Sequence, residues 1–303
     1  MHPASVLLVF LDGIGLAPPG PDNPLSGPDL SGLHMWAGGR PWTLPVTPVP
    51  DEMHHFAAVD ACLGVPGLPQ SGTGQATLFT GINCARLAQR HFGPWPHSST
   101  RNALRSHNVF RRVREHTGRD TAFANAFPEA FFERATRTDR WSTTTRCCLD
   151  SGTPLRTLED LASGNAVAAD ITGAGLRRFT GHTTEQTEEH AADRLLAVAQ
   201  QHAFTLFEYF LTDKAGHAQS PGQAVEVLQS VSRFLGHLHA CKPDGMTIVI
   251  TSDHGNLEDL SVRTHTRNPV PLAVSGPGAG AFVDVVDLTD VVPAIIQAFR
   301  GVR

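Results

Sequence analysis

Acidic and histidine side chains recur in the second half of the sequence at spacings that suit metal ions. Asp213 and His217 are four residues apart, so one helical turn or a tight loop can direct both at one ion. Asp253 and His254 are adjacent, and neighbouring side chains of an extended strand face opposite ways, so these two could bind different ions. His265 follows in the next loop. The pattern indicates metal binding at more than one position.

Asp12 extends this set, because it follows directly on the apolar run 5–11. Three carboxylates and three imidazoles form a ligand set that suits Zn²⁺ or Mn²⁺, and the lack of cysteine disfavours a purely structural zinc site. Each residue alone has an ordinary explanation. An aspartate after a strand is often a turn former or helix cap, and Asp213 with His217 could be a surface pair. The joint occurrence of all six favours metal binding.

A candidate nucleophile lies in the glycine-rich segment 67–81. Ser71 stands where a short helix can begin, and helix N-termini favour phosphate through their N–H groups and dipole. A bound metal can lower the pKa of such a hydroxyl and make it attack. Ser71 could instead only cap the helix, and Thr73 could be the nucleophile. The residues themselves leave these possibilities open.

The hydrophobic pattern alternates between buried strands and amphipathic helices, which indicates βαβ units and a mostly parallel sheet. In such sheets the ligand site lies beyond the carboxyl ends of the strands. Asp12, Asp213 and Asp253 each follow a predicted strand, so we expect them at one edge. Segments 12–50 and 128–182 are read as irregular. Strands are predicted at 5–11, 121–127, 204–211, 246–251 and 270–274, and helices at 75–80, 101–117, 185–202, 222–239 and 288–299.

The composition narrows the class of protein. A chain of 303 residues with 41% hydrophobic content suits a single α/β domain over 1–303, with a possible small cap at about 128–182. A net charge of −5 without a basic block argues against nucleic acid as a partner. Five cysteines without a CxxC pair indicate neither a disulfide framework nor a thiolate zinc site. The absence of a signal peptide or long apolar stretch favours a cytoplasmic protein without membrane contact. These features predict no oligomeric state.

The motifs together resemble the alkaline phosphatase superfamily, and most closely its branch of cofactor-independent phosphoglycerate mutases. Their order and their spacing to the C-terminus agree with that branch. In the family a serine ten residues before a helix-ending glycine is the nucleophile, which favours Ser71, ten residues before Gly81, over Thr73. The resemblance implies an alkaline phosphatase-like core and two divalent ions. The matching motifs are Asp12-Gly13, Ser71, Asp213-x-x-Gly-His217, Asp253-His254-Gly255-Asn256 and His265-Thr266; they imply one site of Asp12, Ser71, Asp253 and His254 and another of Asp213, His217 and His265.

The sequence also departs from that branch. The mutases follow their serine with an acidic residue and, four positions on, a histidine, where this chain has Gly72 and Gln75. They also carry a large cap domain, whereas only about 120 residues separate Gly81 from the strand at Phe204. A small cap within 128–182 is therefore expected. The sulfatase branch is disfavoured, because the segment 71–75 lacks its Cys/Ser-x-Pro-x-Arg pattern.

These features predict a two-metal enzyme that transfers a phosphoryl group through a phosphoserine at Ser71 and acts on a small phosphorylated substrate. A phosphatase or phosphodiesterase is expected first, because little cap remains to retain an intermediate. The alternatives are a phosphomutase with a reduced cap and a metal-binding domain without catalysis; the intact ligand set and Ser71 count against the latter. Candidate phosphate-binding residues are Asn83, Arg86, His91, Arg101 and Lys214, with Asn83 and His91 preferred for their closeness in sequence to the nucleophile segment.

Overall fold

The structure is a computed structural model that describes residues 4–27, 29–47, 51–181 and 185–300. The strands in these ranges are β1 (Ser5–Leu11), β2 (His54–Val59), β3 (Thr121–Phe123), β4 (Ala126–Phe127), β5 (Arg156–Thr157), β6 (Phe204–Tyr209), β7 (Met246–Thr251) and β8 (Val270–Ser275). Six of them form one sheet in the order β2-β8-β7-β1-β6-β3, and β4 pairs with β5 separately. Only β8 is antiparallel to its neighbours in the six-stranded sheet described here. The predicted α/β fold with a mostly parallel sheet is confirmed.

Helices pack on both faces of this sheet. None of the described helices is long and apolar enough to cross a membrane. The helices are α1 (Ser31–His34), α2 (Ser71–Thr80), α3 (Cys84–Leu87), α4 (Arg101–His107), α5 (Val109–Thr117), α6 (Glu129–Thr138), α7 (Thr143–Ser151), α8 (Leu158–Ala162), α9 (Ala174–Thr180), α10 (Glu188–Gln200), α11 (Leu211–Ala218), α12 (Pro221–Cys241) and α13 (Val291–Arg300).

Strand β1 lies inside the sheet, and all of its residues are buried. Because strand side chains alternate between faces, Val6, Leu8 and Phe10 pack with α2, α4, α5, α7 and α13. Leu7 and Val9 pack on the opposite face with α1, α10 and α12. A strand covered on both faces needs apolar side chains at every position, which explains its unbroken hydrophobic run.

Two predicted elements are divided in the structure. The helix expected over 101–117 is α4 followed by α5, because the Asn108 amide donates to the Leu104 carbonyl at 2.7 Å and accepts the Arg111 N–H at 3.0 Å. The strand expected over 121–127 is divided into β3 and β4. Between them, the side chain of Asn125 bonds both the N–H and the carbonyl of Glu208, at 2.9 and 2.7 Å. Side-chain hydrogen bonds replace backbone pairing at both breaks.

The sequence pattern predicted neither β2 nor the helices and the short strand within segment 128–182. Strand β2 is an edge strand in which only Phe56 and Val59 are buried, so it lacks a strong hydrophobic signal. The segment expected to be irregular contains α6 to α9 and β5, and residue 182 lies outside the described residues. Helix α7 puts Cys147 and Cys148 into the main core beside α2. A separate small cluster includes Leu161, so only part of the segment lies outside the core.

Strand register brings the candidate ligands to one edge of the sheet. Leu11 lies opposite Tyr209, and Phe10 lies opposite Thr251, so β1, β6 and β7 end together. Asp12, Asp213 and Asp253 follow these ends. Because β8 is antiparallel to β7, it begins at the same edge, with Leu272 opposite Thr251. The loop that carries His265 therefore also lies there.

Replacement of Asn108 by alanine is expected to destabilise the protein. The fully buried amide caps α5 and bonds the last turn of α4, so its loss should cost about 1–2 kcal/mol in the free energy of unfolding. Urea denaturation monitored by circular dichroism measures this change. The matched control is Asn102→Ala, at an exposed position of α4, which should change stability by less than about 0.5 kcal/mol. Equal effects of the two variants would contradict the capping role.

Candidate metal centre

Asp213, His217 and His265 converge at the carboxyl edge of the sheet. Asp213 and His217 lie one turn apart on α11, with Asp213 Oδ2 at 3.4 Å from His217 Nε2. The other carboxylate oxygen, Asp213 Oδ1, is 3.6 Å from His265 Nε2. The Nε2 atoms of the two histidines are 3.2 Å apart. One carboxylate and two ring nitrogens thus surround a common point.

Backbone carbonyls determine which nitrogen of each ring carries the proton. His265 Nδ1 lies 2.7 Å from the Pro69 carbonyl, and His217 Nδ1 lies 2.9 Å from the Arg263 carbonyl. A carbonyl only accepts hydrogen bonds, so each Nδ1 must donate its N–H. In the neutral rings both Nε2 atoms therefore present lone pairs to each other and to Asp213. Such an arrangement suits a bound cation. The hydrogen bonds from each Nδ1 to a backbone carbonyl would fix the orientation of the two imidazole rings.

Asp12, Asp253 and His254 form a second, adjoining group. His254 Nε2 is 3.5 Å from Asp12 Oδ1 and 3.5 Å from Asp253 Oδ2. Asp12 Oδ1, Asp253 Oδ2 and His254 Nδ1 are buried and have no hydrogen-bond partner among the described residues. Buried polar atoms without partners cost free energy, and a cation would satisfy the two carboxylate oxygens. The donor set therefore fits a divalent ion.

The electrostatics of this group also favour a cation. Burial, and then the negative charge of Asp213, raises the pKa of Asp253 to about 8. Burial, reinforced by the charges of Asp253 and Asp213, raises the pKa of Asp12 well above its ordinary value. Burial also lowers the pKa of His254 well below its ordinary value, which keeps its imidazole neutral. A divalent ion would stabilise the ionised carboxylates and bind the neutral ring.

The two groups are contiguous through His254. Its ring stacks on that of His265 with centroids 3.7 Å apart. Ligand atoms of Asp213, His254 and His265 lie within 4.8 Å of one another, as do those of Asp12, Asp253 and His254. The expectation that Asp253 and His254 face opposite ways was wrong, since their side chains approach to 3.5 Å. Both residues follow the end of β7 at Thr251, so strand alternation does not constrain them.

Ser71 is the first residue of α2, and its hydroxyl lies beside the second group. Its Oγ is 3.0 Å from His254 Nε2. Thr73 is fully buried, and its Oγ1 donates to the Gln70 carbonyl at 3.3 Å and accepts the Phe92 N–H at 3.1 Å. The structure therefore places the hydroxyl of Ser71, rather than that of Thr73, against the cluster of candidate metal-binding residues.

Close backbone packing explains why glycines follow the serine. A Cβ at Gly72 would lie 2.1 Å from the Trp95 carbonyl oxygen, and one at Gly74 would lie 2.8 Å from the Asp253 carbonyl oxygen. An acidic side chain at position 72, as in the mutases, has no room here. Gln75 lies within the cluster instead, and its Nε2 is 3.4 Å from Asp12 Oδ2.

Glu258 supports the site and was missed by sequence reasoning. Its carboxylate is 1% exposed and accepts the N–H groups of Gly15 and Asn256, each at 2.8 Å. It also accepts the Thr266 hydroxyl, next to His265. One buried carboxylate thus joins the loops that carry Asp12, His254 and His265. The surrounding run of polar residues is typical of a surface turn, so no local signal revealed this role.

Two further polar residues act on the candidate ligands, Asn256 by a hydrogen bond and Glu208 by its charge. Asn256 Nδ2 donates to Asp213 Oδ1 at 2.7 Å and so orients that carboxylate. Glu208 lies near the end of β6, where its Oε2 accepts the Thr144 hydroxyl at 2.6 Å. Burial raises the pKa of Glu208. Glu208 lies opposite Phe10 of β1, two residues before Asp12, and its charge is one of the smaller contributions that raise the pKa of Asp12.

The candidate phosphate-binding residues do not converge. Asn83 caps α3: its side chain accepts the Arg86 N–H at 2.8 Å and donates to the Leu63 carbonyl at 2.9 Å. The Arg86 side chain is exposed. The other three residues line separate cavities. His91 lines a cavity of about 530 Å³ together with Gln70, and Arg101 lines a cavity of about 270 Å³ together with Trp95. Lys214 lines a third cavity, of about 480 Å³, together with Phe210.

Residues 168–300 match the sequence model of the Metalloenzyme superfamily. A 2,3-bisphosphoglycerate-independent phosphoglycerate mutase of Thermomicrobium roseum is 33% identical over 113 residues, which cover 33% of this chain and 22% of that protein. The corresponding mutase of Desulforudis audaxviator is 29% identical over 121 residues, which cover 37% of this chain and 24% of that protein. The matched region thus spans about a quarter of the length of these mutases.

Solved structures share the fold at low sequence identity. The PH0037 protein of Pyrococcus horikoshii superposes with a TM-score of 0.59 at 14% identity, over 100% of this chain and 98% of the other. Alkaline phosphatase from the Antarctic bacterium TAB5 superposes with a TM-score of 0.57 at 12% identity, over 100% of this chain and 99% of the other. Phosphoglycerate mutase of Leishmania mexicana superposes with a TM-score of 0.50 at 11% identity, over 99% of this chain and 95% of the other. Residues 168–300 therefore match the Metalloenzyme superfamily, and the chain has an alkaline phosphatase-like fold.

Proposed function

We propose that this protein is a two-metal phosphoryl-transfer enzyme that acts as a phosphatase or phosphodiesterase through a phosphoserine at Ser71. The supporting observation is the pair of Nε2 lone pairs of His217 and His265 beside Asp213, contiguous with a serine hydroxyl 3.0 Å from His254 Nε2. One ion would be held by Asp213, His217 and His265, and the other by Asp12, Ser71, Asp253 and His254. The mixture of oxygen and nitrogen ligands suits Mn²⁺ or Zn²⁺.

Ser71 Oγ acts as the nucleophile in this scheme. Its bond to phosphorus forms as the ester P–O bond breaks. The hydroxyl proton of Ser71 passes to water, and the alcohol leaves with the electron pair and takes up a proton from water. A water molecule then attacks phosphorus, the Oγ–P bond breaks, and Ser71 regains its proton as inorganic phosphate is released. The N-terminus of α2 favours the negative phosphoryl group. Divalent cations, when bound, supply positive charge that lowers the pKa of the hydroxyl and offsets charge on the phosphoryl oxygens.

Hydrolysis is preferred over mutase activity because little structure is available to retain an intermediate. Between α3 and β6 the chain must supply α4, α5, β3, α7 and α10 to the two faces of the main sheet. Mainly α6, α8, α9 and the small β4–β5 sheet remain outside this core. The partial similarity to phosphoglycerate mutases supports a phosphomutase as the second candidate. A metal-binding domain without catalysis is a third, which an inert Ser71 would favour.

Replacement of Ser71 by alanine is expected to abolish catalysis. Hydrolysis of an aryl phosphate monoester by the Mn²⁺- or Zn²⁺-treated protein should fall at least about a thousandfold in kcat, because no covalent intermediate can form. The matched control is Thr73→Ser, which keeps the buried hydroxyl and should retain activity within a few-fold. Undiminished hydrolysis by the Ser71 variant would exclude the phosphoserine.

Phosphorus NMR separates the two phosphoryl-transfer candidates. With a phosphatase, inorganic phosphate accumulates from a phosphorylated substrate such as phosphoglycerate. With a mutase, the ester signal shifts to that of an isomer while the total ester concentration is unchanged. Neither change, together with normal metal binding, would favour the non-catalytic domain.

Removal of divalent ions is expected to lower the thermal stability of the protein, because the ions bind the native state only. Asp12→Asn should lose most of this metal-dependent increase in Tm. In chelator-treated protein the same variant should be more stable than the parent, because it removes one of several buried, mutually repelling carboxylates. Calorimetry with metal analysis measures both effects. His107→Ala, at an exposed position of α4, is the control and should change neither; a metal-independent Tm in the parent would contradict the metal centre.

Glu258→Gln is expected to weaken metal binding without removing a ligand. An amide cannot accept at both positions, so it presents a donor to groups that already donate, and the loops of the centre should shift. Such supporting residues typically change metal affinity about 10- to 100-fold. Metal titration should show this loss, while Asp259→Asn, next in the chain and bonded to Ser261, should leave affinity unchanged. Equal affinities of parent and Glu258 variant would contradict the supporting role.

A further inference from the structure

A cavity of about 270 Å³ combines aromatic and basic side chains and is not used by the proposed phosphoryl transfer. It lies between the loop before α4 and the connection from α6 to α7. The side chains that determine its chemistry are those of Trp95, Arg101, Asp139, Arg140, Trp141 and Arg146.

Two walls of this cavity are formed by segments that pack close to the candidate metal centre. The Trp95 carbonyl lies against Gly72, where a Cβ would approach it to 2.1 Å, so the Trp95 backbone packs beside Ser71. On the other side, Trp141 lies three residues before Thr144, whose hydroxyl donates to Glu208 at 2.6 Å. Helix α4, which begins at Arg101, packs against both α2 and α7. The segments that form the cavity are therefore packed against the N-terminal turn of α2, which carries Ser71, and against Glu208.

The two tryptophans of the cavity differ from the other tryptophans of the chain. Trp36 and Trp42 are completely buried, whereas Trp95 is 41% exposed and Trp141 is partly exposed. Trp141 packs edge-on against Phe131 with their ring centroids 6.0 Å apart, and this contact restricts the orientation of the indole ring. Exposed indole rings that are held in place stack well on flat aromatic ligands. Burial in the hydrophobic core does not explain these two side chains.

The guanidinium groups make the cavity positively charged. Arg146 pairs with Asp139 at 3.0 Å, whereas Arg101 and Arg140 are exposed and form no ion pair with the described residues. Three arginines against one aspartate give a local excess of positive charge in a chain whose net charge is −5. Arginine binds carboxylates and phosphates in bidentate geometry and also stacks on aromatic rings.

We propose that this cavity binds the alcohol portion of the substrate and selects phosphate esters whose alcohol carries a flat aromatic ring and a further negative charge. The proposal rests on the proposed function, because it places the scissile phosphate at Ser71. The volume is slightly below that of pockets which enclose whole ligands, about 300–1,000 Å³, and so suits one ring system. A nucleoside bisphosphate and a carboxylated aryl phosphate both offer this chemistry.

Tryptophan fluorescence tests binding without depending on catalysis. Metal-treated, full-length Ser71→Ala protein is titrated with adenosine 3′,5′-bisphosphate, with 2-carboxyphenyl phosphate and with glycerol phosphate. At least one ring-containing probe should quench the exposed tryptophans and bind at least about tenfold more tightly than glycerol phosphate, which corresponds to about 1.4 kcal/mol. The ring-containing probe with the higher affinity shows whether the ligand class is a nucleoside bisphosphate or a carboxylated aryl phosphate.

Arginine variants test the role of the cavity itself. Arg101→Gln and Arg140→Gln should each weaken the ring-containing probe about tenfold and leave glycerol phosphate unchanged. Both positions are exposed, so folding should be preserved. Arg105→Gln, one turn further along α4 and also exposed, is the matched control and should have no effect. Trp141→Leu should remove part of the quenching.

Activity assays on the parent enzyme separate the two proposals. If no ester is hydrolysed but the ring-selective quenching and its loss in the arginine variants persist, the proposed function is wrong and the cavity remains a binding site. If hydrolysis depends on Ser71 but the ring and extra charge improve neither KM nor binding, the cavity proposal is overturned. Equal probe affinities in the parent, Arg101→Gln and Arg140→Gln proteins would also overturn it.

Discussion

The approach of the Nε2 atoms of His217 and His265 to 3.2 Å, beside Asp213, is the constraint on which the site depends. Each ring uses its other nitrogen to donate to a backbone carbonyl, so two lone pairs are directed at one point. Asp12 and Asp253 add buried carboxylate oxygens without hydrogen-bond partners among the described residues. Cations stabilise an arrangement that concentrates electron pairs in this way, so metal binding is expected to stabilise the fold.

Buried polar contacts and glycines maintain this concentration of charge. Glu258 joins three loops through backbone N–H groups and a hydroxyl, and the first turn of α2 can approach the Asp253 backbone only because position 74 is glycine. The same close approach at Gly72 positions the loop that carries Trp95. The packing that places Ser71 against His254 therefore also forms one wall of the aromatic and basic cavity. The proposed reaction site and the proposed recognition site therefore depend on the same packing contact.

The fold class, and the grouping of the candidate metal-binding residues at one edge of the sheet, could largely be predicted from the sequence because their signals are local. An unbroken apolar run predicts a strand covered on both faces, as for β1, and an acidic residue after such a strand predicts a site at the carboxyl edge. The four-residue spacing of Asp213 and His217 needed only one helical turn, which α11 provides. Local signals failed where side chains replace backbone pairing, as at Asn108 and Asn125, and at the half-buried edge strand β2.

Relations between distant segments were decided only by the tertiary structure. The antiparallel direction of β8 brings His265 to the edge where the parallel strands end, and no periodicity in the sequence encodes that direction. The buried role of Glu258 depends on loops more than 240 residues apart, and the presence of Trp95 and Trp141 in one cavity depends on how α4 and α7 pack. The sequence by itself determined the residue types, the class of fold and the candidate metal-binding residues. Only folding decided which atoms share one point in space, because that depends on contacts between segments that have no local sequence signal.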